Sequence, residues 1–264
     1  MDLKLEGKKA LITGSTSGIG FAVAKTLLQE KAEVVINGRS QSSVDATIHK
    51  LKKEFPNGEI SGFAINFEDS ESVSEATKLL PEVDILINNV GIYKSEPFFE
   101  MADEDWYRQF EVNVMSGVRL SRHFLPLMLK KNWGRILFIS SECATLVPPD
   151  MLAYSMTKAA LLSVSRGLAQ LTKGTNVSVN SVLPGSTLSE GAERFLENEA
   201  QKLGKTKKEV ETDFFKEVRT SSLLQRFASV EEVAHTITYL CSPLASATNG
   251  AAVKVDGGST GGLV

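Results

Sequence analysis

Several residue types that mark particular protein classes are scarce in this chain. Its two cysteines, Cys143 and Cys241, lie far apart, so they form neither a disulfide framework nor a metal-binding pair, and they suit a reducing compartment. Its three histidines share no metal-ligand spacing. No run reaches the roughly eighteen uninterrupted apolar residues of a membrane span, and the N-terminal residues lack a signal-peptide pattern. We therefore expect a cytoplasmic protein with no metal site and no membrane partner.

An excess of one charge sign is also missing. Lys and Arg total 29 against 32 for Asp and Glu, and both signs are scattered, which gives no reason to expect a nucleic-acid partner.

Two enzyme classes lack their signatures. The stretch GSTSG has Thr16 where the nucleophile elbow of a serine hydrolase needs a serine, which disfavours that class. The GKT at Gly204 lacks the upstream glycine and the strand of a phosphate-binding P-loop.

The sequence does contain an alternation of two patterns. Seven short runs are continuously apolar, as expected for strands buried on both faces: KALITG, EVVING, GFAINF, VDILINN, GRILFIS, VSVNSVLPG and AAVKVDGG. Six amphipathic helical segments lie between them, at 20–29, 42–55, 70–80, 103–131, 154–171 and 230–241. We predict one α/β domain over residues 1–264, a doubly wound, Rossmann-like parallel sheet of about seven strands with helices on both faces.

One region, residues 186–226, interrupts this alternation. It contains no predicted strand, only two charged helical stretches, SEGAERFLENEAQKLG and TKKEVETDFFKEVR, the second capped by Thr206 and Glu209. A long excursion directly after a strand end is where a substrate-binding lid would lie. A surface insertion without a function is the alternative.

The first strand leads into a glycine-rich turn, ITGSTSGIG. Gly14, Gly18 and Gly20 permit a tight turn and let the backbone approach a pyrophosphate, and the following helix offers free N–H groups and a positive dipole. The hydroxyls of residues 15–17 add donors. The spacing differs from the general G-x-G-x-x-G fingerprint, but the strand–turn–helix context predicts a nucleotide site.

The end of the second strand bears on the choice of cofactor. Gly38 and Arg39 stand where an acidic residue would bind the ribose 2′-OH of NAD. A carboxylate would repel a 2′-phosphate, whereas a guanidinium attracts it and can bond it bidentately. We therefore favour NADP(H), with NAD(H) possible, since an exposed arginine in a turn is the alternative interpretation.

Six motifs occur in the order and spacing of the short-chain dehydrogenase/reductase family, which the chain resembles over essentially its whole length. They are TG-x-x-x-GIG at 13–20, NNVG at 88–91, Asn113, Ser141, Y-x-x-x-K at 154–158 and PG at 184–185. The resemblance implies a nicotinamide cofactor, hydride transfer at an alcohol or carbonyl, and a homotetramer or homodimer. With the turn and Arg39, it assigns these residues to the cofactor: Gly14, Ser15, Ser17, Gly18, Ile19, Gly20, Arg39, Asn66, Phe67, Asn89, Gly91, Tyr154, Lys158, Pro184, Gly185 and Thr187.

The catalytic residues that the resemblance implies are Asn113, Ser141, Tyr154 and Lys158. A tyrosine with a pKa near ~10 is a sluggish acid at neutral pH. Lys158 follows Tyr154 by one helical turn, so its charge, with that of an oxidised nicotinamide, should lower the Tyr154 pKa. Ser141 and Tyr154 would bind the substrate oxygen. By resemblance, Lys158 also bonds the nicotinamide ribose, and Asn113 holds a water in a proton relay.

Some positions depart from the family pattern or adjoin the motifs. Asn66 stands where many relatives have an aspartate, and Thr187 and Ser189 replace the usual residues after the PG motif, which leaves hydroxyls for the carboxamide and phosphates. Ser140 should face away from the substrate, because residues alternate across a strand. Cys143 is expected to act as a small apolar filler.

We expect an NADPH-dependent carbonyl reductase for a small 3-oxoacyl-like or ketone substrate. The alternatives are an NAD-dependent alcohol or sugar dehydrogenase and, from a different class, a dinucleotide-binding regulator without turnover. The complete catalytic set argues against a regulator, because a pure binder would not need those four side chains together. Fatty-acyl, sugar-derived and xenobiotic carbonyls suit the charged and apolar residues of 186–226 equally.

Overall fold

The apolar runs form a parallel sheet, as their continuous pattern predicts. A computed structural model describes residues 1–80 and 82–262, without the side chains of Ser70 and Leu79. In that part of the chain the strands are β1 (Lys9–Ile12), β2 (Glu33–Gly38), β3 (Ile60–Ala64), β4 (Ile85–Asn88), β5 (Gly134–Ile139), β6 (Val177–Pro184), β7 (Thr187–Leu188), β8 (Ala228–Ser229) and β9 (Ala252–Val255). Seven of them pair in parallel in the order β3-β2-β1-β4-β5-β6-β9. The winding reverses between β1 and β4, and ligands bind at such a point, beyond the strand carboxyl ends.

Helices cover both faces of the sheet. They are α1 (Gly18–Gln29), α2 (Gln41–Glu54), α3 (Ser70–Leu79), α4 (Asp103–Phe110), α5 (Ser116–Lys131), α6 (Cys143–Leu146), α7 (Leu152–Leu171), α8 (Glu190–Leu203), α9 (Lys207–Glu217) and α10 (Val230–Cys241). Helices α1, α2 and α10 contribute to one buried apolar cluster, and α3, α5 and α7 contribute to the other. The doubly wound α/β fold is therefore confirmed. No helix in the described ranges is long and apolar enough to cross a membrane.

The predicted helix 103–131 is not continuous. A π-helical turn, Glu111–Met115, separates α4 from α5 and contains Asn113. The amphipathic pattern continues through the turn, so periodicity alone could not reveal the break. Such single π-turns are frequent at functional sites, because the extra residue re-aims neighbouring side chains.

The prediction of no strand in 186–226 is wrong. The two-residue strand β7 pairs with β8, and the Ala228 N–H donates to the Ser186 carbonyl at 3.0 Å. Strands of two residues are too short to form an apolar run, so the hydrophobic pattern could not predict this strand pair. The two predicted helices are present as α8 and α9, which pack around a small cluster of their own that includes Leu196, Phe215 and Phe227.

Candidate active site

The glycine-rich turn holds its predicted shape through hydrogen bonds to the neighbouring strand. Gly14 and Gly18 both have positive φ, at 61° and 56°. The Gly14 N–H donates to the Asn37 side chain at 3.1 Å, and the Ser15 N–H donates to the Asn37 carbonyl at 2.9 Å. A Cβ on Gly20 would lie 2.6 Å from the Gly14 carbonyl oxygen, so helix α1 can approach the turn only with glycine there.

The hydroxyls of this turn are not equivalent. Ser15 is fully buried and its hydroxyl donates to the Ile12 carbonyl at 2.8 Å, so it stabilises the turn rather than offering an outward donor. Ser17 is exposed at the N-cap of α1, where its side chain makes no capping bond. Of the two serines assigned to the cofactor, only Ser17 presents a free hydroxyl.

The N-terminus of α1 already binds an anionic group. The Gly18 N–H donates to Glu190 Oε2 at 2.8 Å, although the two residues lie far apart in sequence. Glu190 begins helix α8, so this contact ties the 186–226 region to the turn. A carboxylate at this position stands in for a phosphate oxygen, because both accept from helix N-terminal N–H groups. The turn therefore fits the pyrophosphate of a dinucleotide.

The residues predicted to surround the adenosine end lie beyond strands β2 and β3. Arg39 is exposed directly after β2. Asn66 is exposed and its Oδ1 accepts the Glu68 N–H at 3.1 Å. The Phe67 side chain is 4% exposed within the core, so only its main chain can face a ligand.

Asn89 connects the end of β1 to the loop after β4, at the edge of the crevice between these two strands. Its Nδ2 donates to the carbonyls of Thr13 and Gly14 at 2.8 and 3.0 Å. Two residues later, a Cβ on Gly91 would lie 3.1 Å from Lys158 Nζ. The NNVG motif therefore joins the phosphate turn to the predicted catalytic lysine through a short loop.

Ser141, Tyr154 and Lys158 line one cleft of about 560 Å³, together with Asn89, Gly91, Pro184, Gly185 and Thr187. Tyr154 and Lys158 lie on α7, and Ser141 follows β5. The Ser141 Oγ accepts the Cys143 N–H at 3.1 Å, which leaves its own proton free to donate. Lys158 Nζ donates to the Ile139 carbonyl at 2.9 Å and lies 5.4 Å from the Tyr154 ring centroid.

The electrostatics of this trio, in the chain without cofactor, run opposite to the lowering of the Tyr154 pKa that is expected with an oxidised nicotinamide bound. Burial raises the pKa of Tyr154 above its usual value, and the Ser141 hydroxyl opposes that rise. Lys158 contributes no lowering in the chain alone, where its Nζ donates to the Ile139 carbonyl and lies 5.4 Å from the Tyr154 ring centroid. Burial also lowers the pKa of Lys158 to about 8.

Asn113 lies behind Lys158, with 2% of its surface exposed. Its Oδ1 accepts the Ile92 N–H at 2.8 Å, and its Nδ2 donates to the Ile92 carbonyl and to Thr157 Oγ1 at 2.9 and 3.0 Å. These bonds engage both ends of the amide. The side chain therefore positions the loop after Gly91, and a water relay would need another atom of Asn113.

Ser140 and Cys143 flank Ser141 without offering a group to the substrate. Ser140 Oγ donates to the Lys158 main-chain carbonyl at 2.8 Å, so it joins β5 to α7. Cys143 is buried in α6. Among the described residues, no cluster of three or more His, Cys, Asp or Glu side chains has the arrangement of a metal site.

The sequence analysis missed part of the cleft wall. Phe195 and Phe214 of the predicted lid region line it, and so do residues that were not singled out: Tyr93, Glu142, Asp150, Arg219 and Phe227. Glu142 could have been found from the sequence, because it is a charged residue directly after the predicted Ser141, at the end of a buried strand. Nothing local marks Arg219 as its partner, since 77 residues separate them.

A phosphate-binding turn at the switch point of a doubly wound sheet, next to a tyrosine–lysine–serine cleft, defines a dinucleotide-dependent oxidoreductase. A sequence model of the family described as short chain dehydrogenase matches residues 8–200. The chain belongs to the short-chain dehydrogenase/reductase family. It is an NAD(P)-binding oxidoreductase acting between CH–OH and C=O groups of small molecules.

Relatives and solved structures agree with this assignment. The uncharacterized oxidoreductase YvrD of Bacillus subtilis is 50% identical over 261 residues, covering 98% of both chains. The 3-oxoacyl-[acyl-carrier-protein] reductase FabG of Aquifex aeolicus is 33% identical over 98% of this chain and 99% of its own. The structure of L-sorbose reductase from Gluconobacter frateurii, complexed with NADPH and L-sorbose, has a TM-score of 0.92 and 32% identity, with 100% of both chains covered.

Proposed function

We propose that this protein is an NADPH-dependent carbonyl reductase that converts a ketone to a secondary alcohol. The observation that carries the proposal is the single cleft in which Ser141, Tyr154 and Lys158 meet the strand ends beside the phosphate turn. A dinucleotide binder without turnover would not need an acid, a cation and a free hydroxyl at one point of the cleft.

The residues that would hold the cofactor fall into three groups along the crevice. The turn and the N-terminus of α1 would bind the pyrophosphate, and Arg39 and Asn66 would face the adenosine half. Asn89, Gly91, Pro184, Gly185 and Thr187 border the cleft where the nicotinamide half would lie. When bound, the nicotinamide supplies the hydride that reduces the carbonyl carbon.

Proton transfer is assigned to Tyr154. The phenol keeps its proton at neutral pH and can donate it to the carbonyl oxygen as negative charge develops there. Burial raises the pKa of Tyr154 and so weakens it as an acid, and the charges of Lys158 and of the oxidised nicotinamide would offset that rise during the transfer. The free Ser141 proton would donate to the same oxygen and orient it. Lys158, buried and adjacent to Gly91, would bind the nicotinamide ribose and stabilise the tyrosinate that proton donation leaves behind.

NADPH is preferred over NADH in this proposal because of Arg39. The arginine is exposed at the end of β2, where a guanidinium can bond a 2′-phosphate, and Gly38 contributes no carboxylate there. The similar L-sorbose reductase was solved with NADPH, which supports the same preference. We also propose that 186–226 forms the substrate-binding lid, because Phe195, Phe214 and Arg219 from this region line the cleft.

A panel of ketones and secondary alcohols, each measured with both cofactors, tests the proposal. The expected result is NADPH consumption by at least one ketone and a higher kcat/KM with NADPH than with NADH. A preference for NADH with alcohols as the better substrates would favour the dehydrogenase alternative. Tight NADPH binding by fluorescence, with no turnover across the panel, would favour the regulator.

A further inference from the structure

The cleft wall contains an ion pair that the proposed chemistry does not use. Glu142 Oε1 accepts a hydrogen bond from Arg219 Nε at 3.0 Å, and the two side chains are 4% and 14% exposed. The Ser186 hydroxyl donates to the same carboxylate oxygen at 3.2 Å. Glu142 directly follows Ser141, so the pair lies next to the proposed substrate oxygen.

The pair joins the 186–226 region to the strand end, but a buried ion pair is a costly way to make such a contact. Desolvating two charges costs several kcal/mol, and replacing a buried ion pair by apolar side chains is often neutral or stabilising. The surroundings would accept such a replacement, because Phe195, Phe214 and Phe227 line the same cleft. A buried ion pair among aromatic side chains at a substrate cleft therefore points to ligand recognition.

Arg219 has donors that the protein leaves open. Its Nε bonds Glu142, and its Nη1 makes one long bond of 3.4 Å to the Val218 carbonyl. Its Nη2 bonds no oxygen or nitrogen acceptor among the residues that the structure describes, and the Cys143 thiol lies beside the guanidinium. The guanidinium carbon lies 5.7 Å from the Phe214 ring centroid, and such stacking restricts the plane of the group. Glu142 Oε2 is buried and also lacks a partner in the described part of the chain. Unpaired donors and an unpaired acceptor therefore lie side by side.

We infer that Arg219 is a specificity-determining residue that selects a neutral, hydroxylated ketone by donating to its hydroxyl oxygens. The inference rests on the proposed reductase activity. Glu142 already neutralises Arg219, so a substrate carboxylate or phosphate would meet the Glu142 charge at short range. A hydrocarbon chain would bury the open donors without an acceptor. A polyhydroxylated ketone avoids both costs, because each hydroxyl donates as well as accepts.

Three ketones with the same five-carbon skeleton test the inference: a 2-ketopentose, pentan-2-one and 4-oxopentanoate. With NADPH, the native protein should have its highest kcat/KM for the ketopentose. Arg219→Met should lower the ratio of kcat/KM for ketopentose to that for pentan-2-one by about 10–100-fold, as expected when hydrogen bonds to a charged group are lost. Arg226→Met is the matched control, because Arg226 pairs with Glu232 and does not line the cleft, and it should leave the ratio unchanged.

Arg219→Met leaves the Glu142 charge unpaired, so the double variant Glu142→Gln/Arg219→Met is measured beside it, with a thermal melt of each protein. A lowered ratio in both folded variants supports the inference. An unchanged ratio, a double variant that cannot fold, or an Arg219-dependent preference for 4-oxopentanoate overturns it and leaves the reductase proposal intact. Absence of NADPH consumption with all three ketones overturns the inference, and only absence of turnover across the whole ketone panel overturns the reductase proposal as well.

Discussion

Replacing Lys158 by methionine should change stability in a way that depends on pH. Lys158 is 3% exposed, and its pKa falls from 10.5 to about 8 because burial penalises the charged form. At about 1.36 kcal/mol per pKa unit, its charge costs the folded state about 3 kcal/mol below pH 8. Methionine removes that cost but leaves the Ile139 carbonyl unsatisfied, which costs about 1–3 kcal/mol. At pH 7 the variant should therefore be as stable as the native protein or up to about 2 kcal/mol more stable.

The sign of the pH dependence follows from the direction of the pKa shift. Native Lys158 loses its proton as pH rises through about 8, whereas the unfolded chain keeps it until about 10.5, so the native protein regains stability over this window. The advantage of Lys158→Met should fall by about 3 kcal/mol between pH 7 and pH 10.5.

Urea unfolding of both cofactor-free proteins across this range measures the difference directly. Lys130→Met, at an exposed position on α5, serves as the control and should give a small, nearly constant difference. A Lys158→Met difference that stays constant with pH would refute the buried-charge argument.

Four further substitutions probe the site by steady-state kinetics and NADPH titration. Tyr154→Phe should lower kcat about 10²–10⁴-fold with NADPH binding retained, and near-full activity would refute its role as the acid. Ser141→Ala should lower the reduction rate and leave NADPH affinity intact, because the hydroxyl is proposed to bind the substrate. A loss of NADPH affinity as large as the loss of rate would contradict that role. Arg39→Ala should weaken NADPH binding by about 1.5–3 kcal/mol and leave NADH nearly unchanged, so equal losses would exclude 2′-phosphate recognition. Glu190→Gln should tighten NADPH binding about 2–5-fold, because a competing carboxylate leaves the helix N-terminus. Glu193→Gln is the control, because Glu193 is an exposed carboxylate in the same helix, and it should leave NADPH binding unchanged.

Features carried by local patterns were predictable from the sequence. The continuous apolar runs predicted the parallel sheet, although β3 ends at Ala64 rather than Phe67. The predicted capping box at Thr206 is present at the start of α9, and the structure has a second one at Ser229 at the start of α10. Such boxes can be recognised in a sequence because the side chains that cap a helix lie within four residues of each other. The cleft around Tyr154 was predictable because the family motifs place each chemical group at a strand end or on one helix face.

Features made by distant residues were not predictable in the same way. Glu190 and Gly18 are in contact although 172 residues separate them in the sequence, and no local sequence pattern around either residue predicts the contact. The π-turn at Asn113 preserves helical periodicity on both sides, so only the hydrogen-bond pattern reveals it. The direction of the Tyr154 pKa shift was expected from the charges of Lys158 and an oxidised nicotinamide, whereas burial by the surrounding residues raises that pKa in the chain without cofactor.

The two unpredicted charge contacts share one physical consequence for the 186–226 region. Glu190 anchors the start of α8 to the phosphate turn, and Arg219, just after α9, anchors the region to Glu142 beside Ser141. Under the proposed function, the first contact would compete with a bound phosphate, because both need the Gly18 N–H, and the Arg219 donors beside the second contact would bind the substrate. The two ends of the same region should therefore respond to different ligands. Hydrogen exchange in α8 should change with NADPH alone, and exchange around Arg219 should change only when a ketone binds as well. Equal responses of both ends to NADPH alone would show that the region moves as one body and would contradict this division.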